Sequence, residues 1–311
     1  MITTITLNPC IDRTVMLPSV SFGKLNIVEK SRSDIGGKGI NVAVALKQLG
    51  VDVSCSGISF DGDSVKLREE LDGFGIPHDF IVASGNMRMN VKIVETAKKE
   101  MTELNSPGEP VSKDVLDRFL SKLKELGSKS EIIVFAGRLP VRADADYYYR
   151  CIDALAGYTV KFIVDAAGEP LKHAIAAKPF LIKPNAYELG MLYDTEIKTV
   201  DDAVLLSRKI TDQGVGYVCC SLGENGAVLV DSDNVWFASA LNIEPKGFQG
   251  AGDSMIAGIC KAMAKRLPPC EMLRYGTAAA AASLIREGTL LCQKSDFELF
   301  LKDVEVKELA I

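Results

Sequence analysis

The chain is predicted to be an α/β protein: a mainly parallel sheet flanked by helices, with a small second β-sheet laid over it. Three observations carry this. From residue 112 onward, β-rich and helix-periodic segments alternate at crossover spacing, the signature of a parallel sheet. Two extended segments, about 14–33 and 88–104, break that rhythm and alternate polar with apolar residues. A turn almost bare of side chains, Gly250-Ala251-Gly252, feeds an apolar helix that begins with an acid, Asp253.

In chain order, 2–7 reads as a strand stopped by Asn8-Pro9. Segments 14–20 and 24–33 read as strands around a turn at Phe22-Gly23. The loop Gly36-Gly37-Lys38-Gly39 precedes a helix whose apolar positions are 40, 42, 43, 46 and 49, closed by Gly50. A strand over 51–58 and a helix over 62–74 follow. Segments 80–83 and 88–104 are extended, with a turn near Ala97-Lys98-Lys99. Helices are predicted over 112–126, 143–156, 169–177, 186–193 and 200–213, with strands at 132–134, 160–164, 180–182 and 217–221. A hairpin joins 226–230 to 235–238. Helices over 253–265, 270–286 and 295–301 end the pattern, the second running to Arg286 and Glu287. No repeat or linker divides the chain, so one domain over 1–311 is expected. Segments 14–33 and 88–104 are expected to form a lid inserted into it.

Composition narrows the function. The 311 residues are 47% hydrophobic and 25% charged, ordinary for a globular core. A net charge of −5 gives no broad footprint for nucleic acid. No apolar run reaches spanning length, so no membrane partner is expected, and the opening MITTITLNPCID lacks the basic start of a signal peptide. Eight cysteines without a C-x-x-C pair read as reduced core residues of a cytoplasmic protein. With two histidines, His78 and His173, a Ser-His-Asp relay or a His-ligated zinc site is not expected.

The chemistry is expected at the carboxyl ends of the strands. Asp12, Gly137-Arg138, Asp165, Lys183-Pro184-Asn185 and Ser221-Leu222-Gly223 all fall at such ends. A helix start after a bare turn presents unpaired N–H groups to an anion. Asp253 at that place can accept a proton from a hydroxyl, the combination that phosphoryl transfer to an alcohol requires. A plain glycine turn with an aspartate cap would carry the same residues. Gly36-Gly37-Lys38-Gly39-Ile40-Asn41 is not a Walker A loop, because glycine rather than Ser or Thr follows Lys38. Arg88, Asn90 and Lys92 share one strand face, although a solvated edge strand would show the same pattern. Asn185 and Glu188, three apart at a helix start, can face one point and suit Mg²⁺ held through water. They also match a helix cap.

Read as a set, TLNPCID (6–12), GGKGIN (36–41), RMNVK (88–92), GRLP (137–140), KPNAYEL (183–189), SLGENG (221–226) and GAGDSM (250–255) resemble the ribokinase-like sugar kinases of the PfkB family, over essentially the whole chain. The resemblance is strongest to the phosphosugar kinases, 1-phosphofructokinase and tagatose-6-phosphate kinase. It implies a ribokinase-like, Rossmann-like α/β core, a β lid that forms a homodimer contact, and ATP with Mg²⁺. By position it implies Asp253 as catalytic base, with Gly250, Ala251 and Gly252 as the anion hole. Asp12, Gly37 and Asn41 would hold sugar hydroxyls. Lys38, Arg88 and Asn90 would hold the sugar phosphate, with Arg138 on the sugar side and Lys24 reaching a partner's sugar phosphate. Lys183, Asn185 and Glu188 would organise ATP phosphates and Mg²⁺. Ser221, Gly223 and Gly226 would line the nucleotide, with Gly276 and Ala280 near adenine.

The sequence departs from the pattern at Gly247-Phe248-Gln249, where the family carries D-T-V or N-P-V, and at GRLP in place of GSLP. It departs again at Asp165-Ala166-Ala167-Gly168 in place of D-T-S-G. RMNVK and TELNSPG (102–108) resemble the 1-phosphofructokinases more than the tagatose-6-phosphate kinases, which implies fructose 1-phosphate as acceptor. A catalytically silent sugar-phosphate or nucleotide sensor on the same fold is the reading from another class.

Overall fold

The computed structural model describes residues 1–247, 249–286 and 290–309. In chain order the elements are β1 (Ile2–Thr6), β2 (Cys10–Leu17), β3 (Lys30–Gly36), α1 (Lys38–Gln48), β4 (Val53–Phe60), α2 (Ser64–Gly73), β5 (His78–Ala83), β6 (Arg88–Glu95), β7 (Glu100–Asn105) and α3 (Lys113–Gly127). There follow β8 (Ile132–Ala136), α4 (Tyr147–Asp153), β9 (Lys161–Asp165), α5 (Gly168–Ala176), β10 (Leu181–Ile182), α6 (Ala186–Leu192), α7 (Val200–Thr211) and β11 (Tyr217–Ser221). The chain closes with β12 (Ala227–Val230), β13 (Val235–Ala238), α8 (Ala251–Ala264), α9 (Pro269–Leu284), α10 (Lys294–Phe300) and β14 (Val306–Glu308).

The main sheet has ten strands in the order β14-β13-β12-β11-β10-β9-β8-β1-β4-β5. From β11 to β5 every pairing is parallel; β12, β13 and β14 add an antiparallel edge. Central strands β1 and β8 are buried along their whole length, as continuous apolar or threonine-rich runs in a two-sided sheet should be. Helix α8 packs on both α1 and α9, and α4 through α7 form a second group, each on the next. The start of α1 lies tight on β1: a Cβ on Gly39 would come within 2.4 Å of the Ile5 carbonyl oxygen. No helix among the described residues is long and apolar enough to cross a membrane. All eight cysteines are free.

The second sheet has the order β3-β2-β6-β7. Strands β2 and β6 run parallel with Asp12 opposite Asn90, and the outer two pair antiparallel. Its burial is inverted from the usual arrangement. The polar face is covered, with Asp12, Asn90 and Lys92 all 7% exposed or less, while Met89 and Leu104 on the other face are open to solvent. The polar face therefore turns toward the core, while on the apolar face Ile11, Leu17 and Ile35 are buried and Met89 and Leu104 are left uncovered by the described residues.

The expected strands over 14–20 and 24–33 are corrected to Cys10–Leu17 and Lys30–Gly36. Pro18 ends the first, and residues 18–29 form a loop pinned by the Asn26 side chain, which bonds to Ser21 N–H and to the Ser21 and Lys24 carbonyls. The expected helix over 143–156 shortens to Tyr147–Asp153. Strand β14, for which the sequence carries no pattern, is three residues long and exists by pairing with β13. Glu287 lies outside the described residues.

Candidate active site

The bare turn does what its glycines suggest. Gly250 adopts φ 74° and ψ 0°, a left-handed conformation that glycine tolerates, and caps α8. A Cβ there would meet Leu291 at 2.4 Å. Ala251, Gly252 and Asp253 form the first turn of the helix, so their N–H groups lack helical partners and carry the positive end of its dipole. Asp253 is 6% exposed. Its Oδ2 accepts a 2.7 Å hydrogen bond from Nδ2 of Asn41, on the first turn of α1. Burial pushes the Asp253 carboxyl up to about 6, with the nearby Asp165 charge adding to that and Lys38 opposing it. The group is thus a base of near-neutral strength.

Around it lies a cluster of alternating charge. Lys38 Nζ stands 3.2 Å from both Asp165 carboxylate oxygens and 3.9 Å from Glu188 Oε1. Lys183, 4% exposed, places Nζ 3.5 Å from Asp165 Oδ1. Burial alone would raise the Asp165 carboxyl, but the two lysines outweigh it and hold the group low. Burial likewise opposes the Lys38 charge, and Asp165, Asp253 and Glu188 together outweigh it and raise the ammonium's pKa. Lys183 Nζ also lies 3.1 Å from where a Cβ on Gly252 would stand. A side chain there would crowd the ammonium, so the bare Gly252 lets Lys183 stand against the helix start, where both suit a phosphate.

A second network is built on the small sheet. Asp12 accepts from Asn90 Nδ2 at 2.8 Å and from Lys92 Nζ at 3.0 Å. Arg88 donates from Nη1 to Asn90 Oδ1 at 2.9 Å, and is held by the Asn8 and Ser106 carbonyls. Lys92 also donates to Gln249 Oε1 at 2.5 Å, so the small sheet touches the turn that starts α8. Lys38 and Arg88, both expected on one sugar phosphate, belong to different networks with no bond between them. Gly37 takes φ 126° as the cap of α1. Gly137 lies beside Lys38, and Arg138 is exposed next to it. Lys24 is exposed in the 18–29 loop and joins neither network.

The expected nucleotide side is mixed. Asn185 and Glu188 form a reciprocal capping box at the start of α6: Glu188 N–H donates to Asn185 Oδ1 at 2.8 Å, and Asn185 N–H to Glu188 Oε2 at 2.9 Å. Glu188 Oε1 stays outside the box and faces Lys38. The described residues contain no group of three or more His, Cys, Asp or Glu side chains arranged to hold a metal directly. The donor set here fits a cation held mainly through water and phosphate oxygens. Ser221 ends β11 and bridges Asn185. Gly223 and Gly226 take φ 62° and 94°, and a Cβ on Gly226 would fall 2.0 Å from the Ala238 carbonyl oxygen, so that glycine is required by the hairpin. Gly276 is buried against Met255 and Ile259 of α8, where it permits close helix packing; Ala280, a turn later, is half-buried. Phe248 lies outside the described residues.

Lys92, Glu103 and Gln249 join these networks although the motifs assigned them no role, and Asp165, expected only as one of the polar groups at the strand ends, holds both Lys38 and Lys183. Lys92 had a sequence signal, sharing a strand face with Arg88 and Asn90. Gln249 had only its departure from the pattern, because its partners lie on β6 and β7, remote in sequence.

A buried near-neutral carboxylate beside helix N–H groups and two ammonium ions, at the carboxyl ends of parallel strands, is equipped to move a phosphoryl group to an alcohol. The family model described as "pfkB family carbohydrate kinase" matches residues 5–296, and the chain belongs to that family. It is similar to 1-phosphofructokinase of Bacillus subtilis, with 34% identity over 92% of this chain and 93% of that one. It is similar, too, to 1-phosphofructokinase of Borreliella burgdorferi, with 30% identity over 99% of each. Among solved structures, phosphofructokinase-2 from Escherichia coli in complex with fructose-6-phosphate superposes with a TM-score of 0.89 at 27% identity, covering 97% of this chain and 98% of that one.

Proposed function

We propose that the protein is an ATP-dependent 1-phosphofructokinase that phosphorylates the free primary hydroxyl of fructose 1-phosphate, giving fructose 1,6-bisphosphate. The observation that carries the reading is Asp253: buried, hydrogen-bonded to Asn41, poised at about 6, and set on the first turn of α8 behind bare backbone. In this reading Asp253 takes the proton of the acceptor hydroxyl as the hydroxyl oxygen attacks the γ-phosphorus of ATP, and the bond from that phosphorus to the β,γ-bridging oxygen breaks to release ADP. The N–H groups at the start of α8, with Lys183 beside them, stabilise the charge on the transferring group. Arg88 binds the acceptor's phosphate by charge-assisted bonds, with Arg138 at the rim, and Asp12 and Asn90 hold sugar hydroxyls. ATP phosphates run past Lys38 and Lys183. Glu188 and Asn185 would hold Mg²⁺ through water; when bound, the ion neutralises phosphate charge. Ser221 to Gly226 line the nucleotide. The exposed part of the small sheet's apolar face, with Met89 and Leu104, is covered by that of a second copy, giving a two-fold dimer. Eight free thiols suit a reducing cytoplasm.

The likeness to a phosphofructokinase-2 that binds fructose-6-phosphate supports a second reading, in which the acceptor carries its phosphate at C6. One experiment separates them: ADP release measured with fructose 1-phosphate, fructose 6-phosphate, tagatose 6-phosphate and free fructose. The proposal expects the highest kcat/KM with fructose 1-phosphate. A higher value for a 6-phosphate transfers the reading to that acceptor, and no turnover with any of them refutes the kinase reading in favour of a sensor.

A further inference from the structure

Gln249 is the residue immediately before the cap of α8, at the position where this chain departs from the family pattern. Its side chain leaves the core and bonds to the small sheet at two points. The amide oxygen accepts from Lys92 Nζ on β6 at 2.5 Å. The amide nitrogen donates to Glu103 Oε1 on β7 at 2.8 Å and lies 3.6 Å from Met101 Sδ. This pairing uses both halves of a carboxamide, the acceptor toward an ammonium and the donor toward a carboxylate. A valine would make neither bond, and an acid would face Glu103 with like charge. Lys92 is 5% exposed and continues the chain of bonds to Asp12, then to Asn90 and Arg88. An unbroken series of hydrogen bonds therefore runs from the cation expected on the acceptor's phosphate to the residue beside the anion-hole turn.

We propose that Gln249 is a positioning residue that latches the small sheet to the turn at Gly250–Gly252. Through this latch, seating of the acceptor on Asp12, Asn90 and Arg88 fixes the orientation of the helix start and of Asp253 behind it. Gln249 itself touches no reacting atom; its effect passes through Lys92 on one side and the Gly250 backbone on the other. The kinetic part of this inference rests on the kinase reading above, whereas the latch itself does not.

The test uses Gln249→Leu, Gln249→Glu, Glu103→Gln and the reciprocal pair Gln249→Glu with Glu103→Gln, in which amide and carboxylate exchange ends while the bond between them is kept. Amide hydrogen exchange is followed in segments 88–105 and 250–258 of the full-length protein, and steady-state kinetics are measured with fructose 1-phosphate and ATP. Gln249→Leu is expected to raise exchange in both segments together. It should also lower kcat/KM for the sugar phosphate about tenfold or more, the loss of two bonds to charged groups, with KM for ATP within about twofold of the parent. Gln249→Glu should be at least as impaired, and the reciprocal pair should recover to within about threefold of the parent. Unchanged exchange in Gln249→Leu overturns the latch, and so does a reciprocal pair no better than Gln249→Glu alone. Should Gln249→Leu fold poorly, the reciprocal pair decides. If the parent turns over no phosphosugar, the kinase reading has failed and the exchange data still judge the latch.

Discussion

Replacing Asp253 with asparagine should move activity and stability in opposite directions. The side chain is 6% exposed and receives the Asn41 bond, which the asparagine oxygen can still accept. Shape and packing are therefore preserved while the charge and the proton-accepting ability are lost. Removing a general base costs about 10²–10⁴-fold in kcat, or about 3–5 kcal/mol of transition-state stabilisation. Stability follows from linkage. Burial raises the carboxyl from 3.8 to about 6, so the folded state holds a proton that the unfolded state releases. The associated stability is fully present below pH 3.8 and is lost as pH rises through about 6. At about 1.36 kcal/mol per pH unit, ionised Asp253 costs the fold about 3 kcal/mol at pH 8. Asparagine avoids that cost and carries a smaller one for its own buried amide, so a net gain of about 1–3 kcal/mol is expected at pH 8, vanishing near pH 4. The assay is urea unfolding of parent and variant at both pH values, alongside ADP release and calorimetric ATP binding. Near-normal turnover would remove Asp253 from the chemistry. A variant less stable than the parent at pH 8 would show that the carboxylate is favoured by its surroundings and that the reasoning from burial is wrong.

In the parent enzyme, kcat/KM should fall about tenfold per pH unit below about pH 6, because the base must be ionised; a flat profile down to pH 5 contradicts the assignment. Arg88→Ala should raise KM for the phosphosugar about tenfold or more while leaving KM for ATP near the parent value, since a charge-assisted bond to phosphate is lost; equal effects on both substrates would place Arg88 outside the acceptor site. Light scattering at micromolar concentration should give a dimer, because Met89 and Leu104 on the outer sheet face and Phe22, Leu25 and Ile27 in the adjoining loop are all exposed. Lys24→Ala should then raise KM for the phosphosugar, and a fully active monomer would refute both the dimer and that role.

Local pattern was enough to announce much of this protein. Period-3.6 apolar spacing marked α1 and α8, and the Gly250–Asp253 turn followed from residue types alone, because a left-handed cap and a helix start are local backbone matters. The parallel core was legible because two-sided burial demands continuous apolar strands. What sequence could not decide was which side of the small sheet would be covered. Alternation defines two faces of β6 without saying which meets the core, and here the polar face is buried because Asp12, Lys92 and Gln249 bond across it. Strand β14 was hidden for a related reason, since three residues pair only where β13 offers an edge. The strength of Asp253 as a base also belongs to tertiary structure. Its sequence neighbours are Gly252 and Ser254, and its pKa is set by burial and by Lys38 and Asp165, brought to it from distant parts of the chain. Charges far apart in sequence interact only after the chain has folded, when water between them has been replaced by protein.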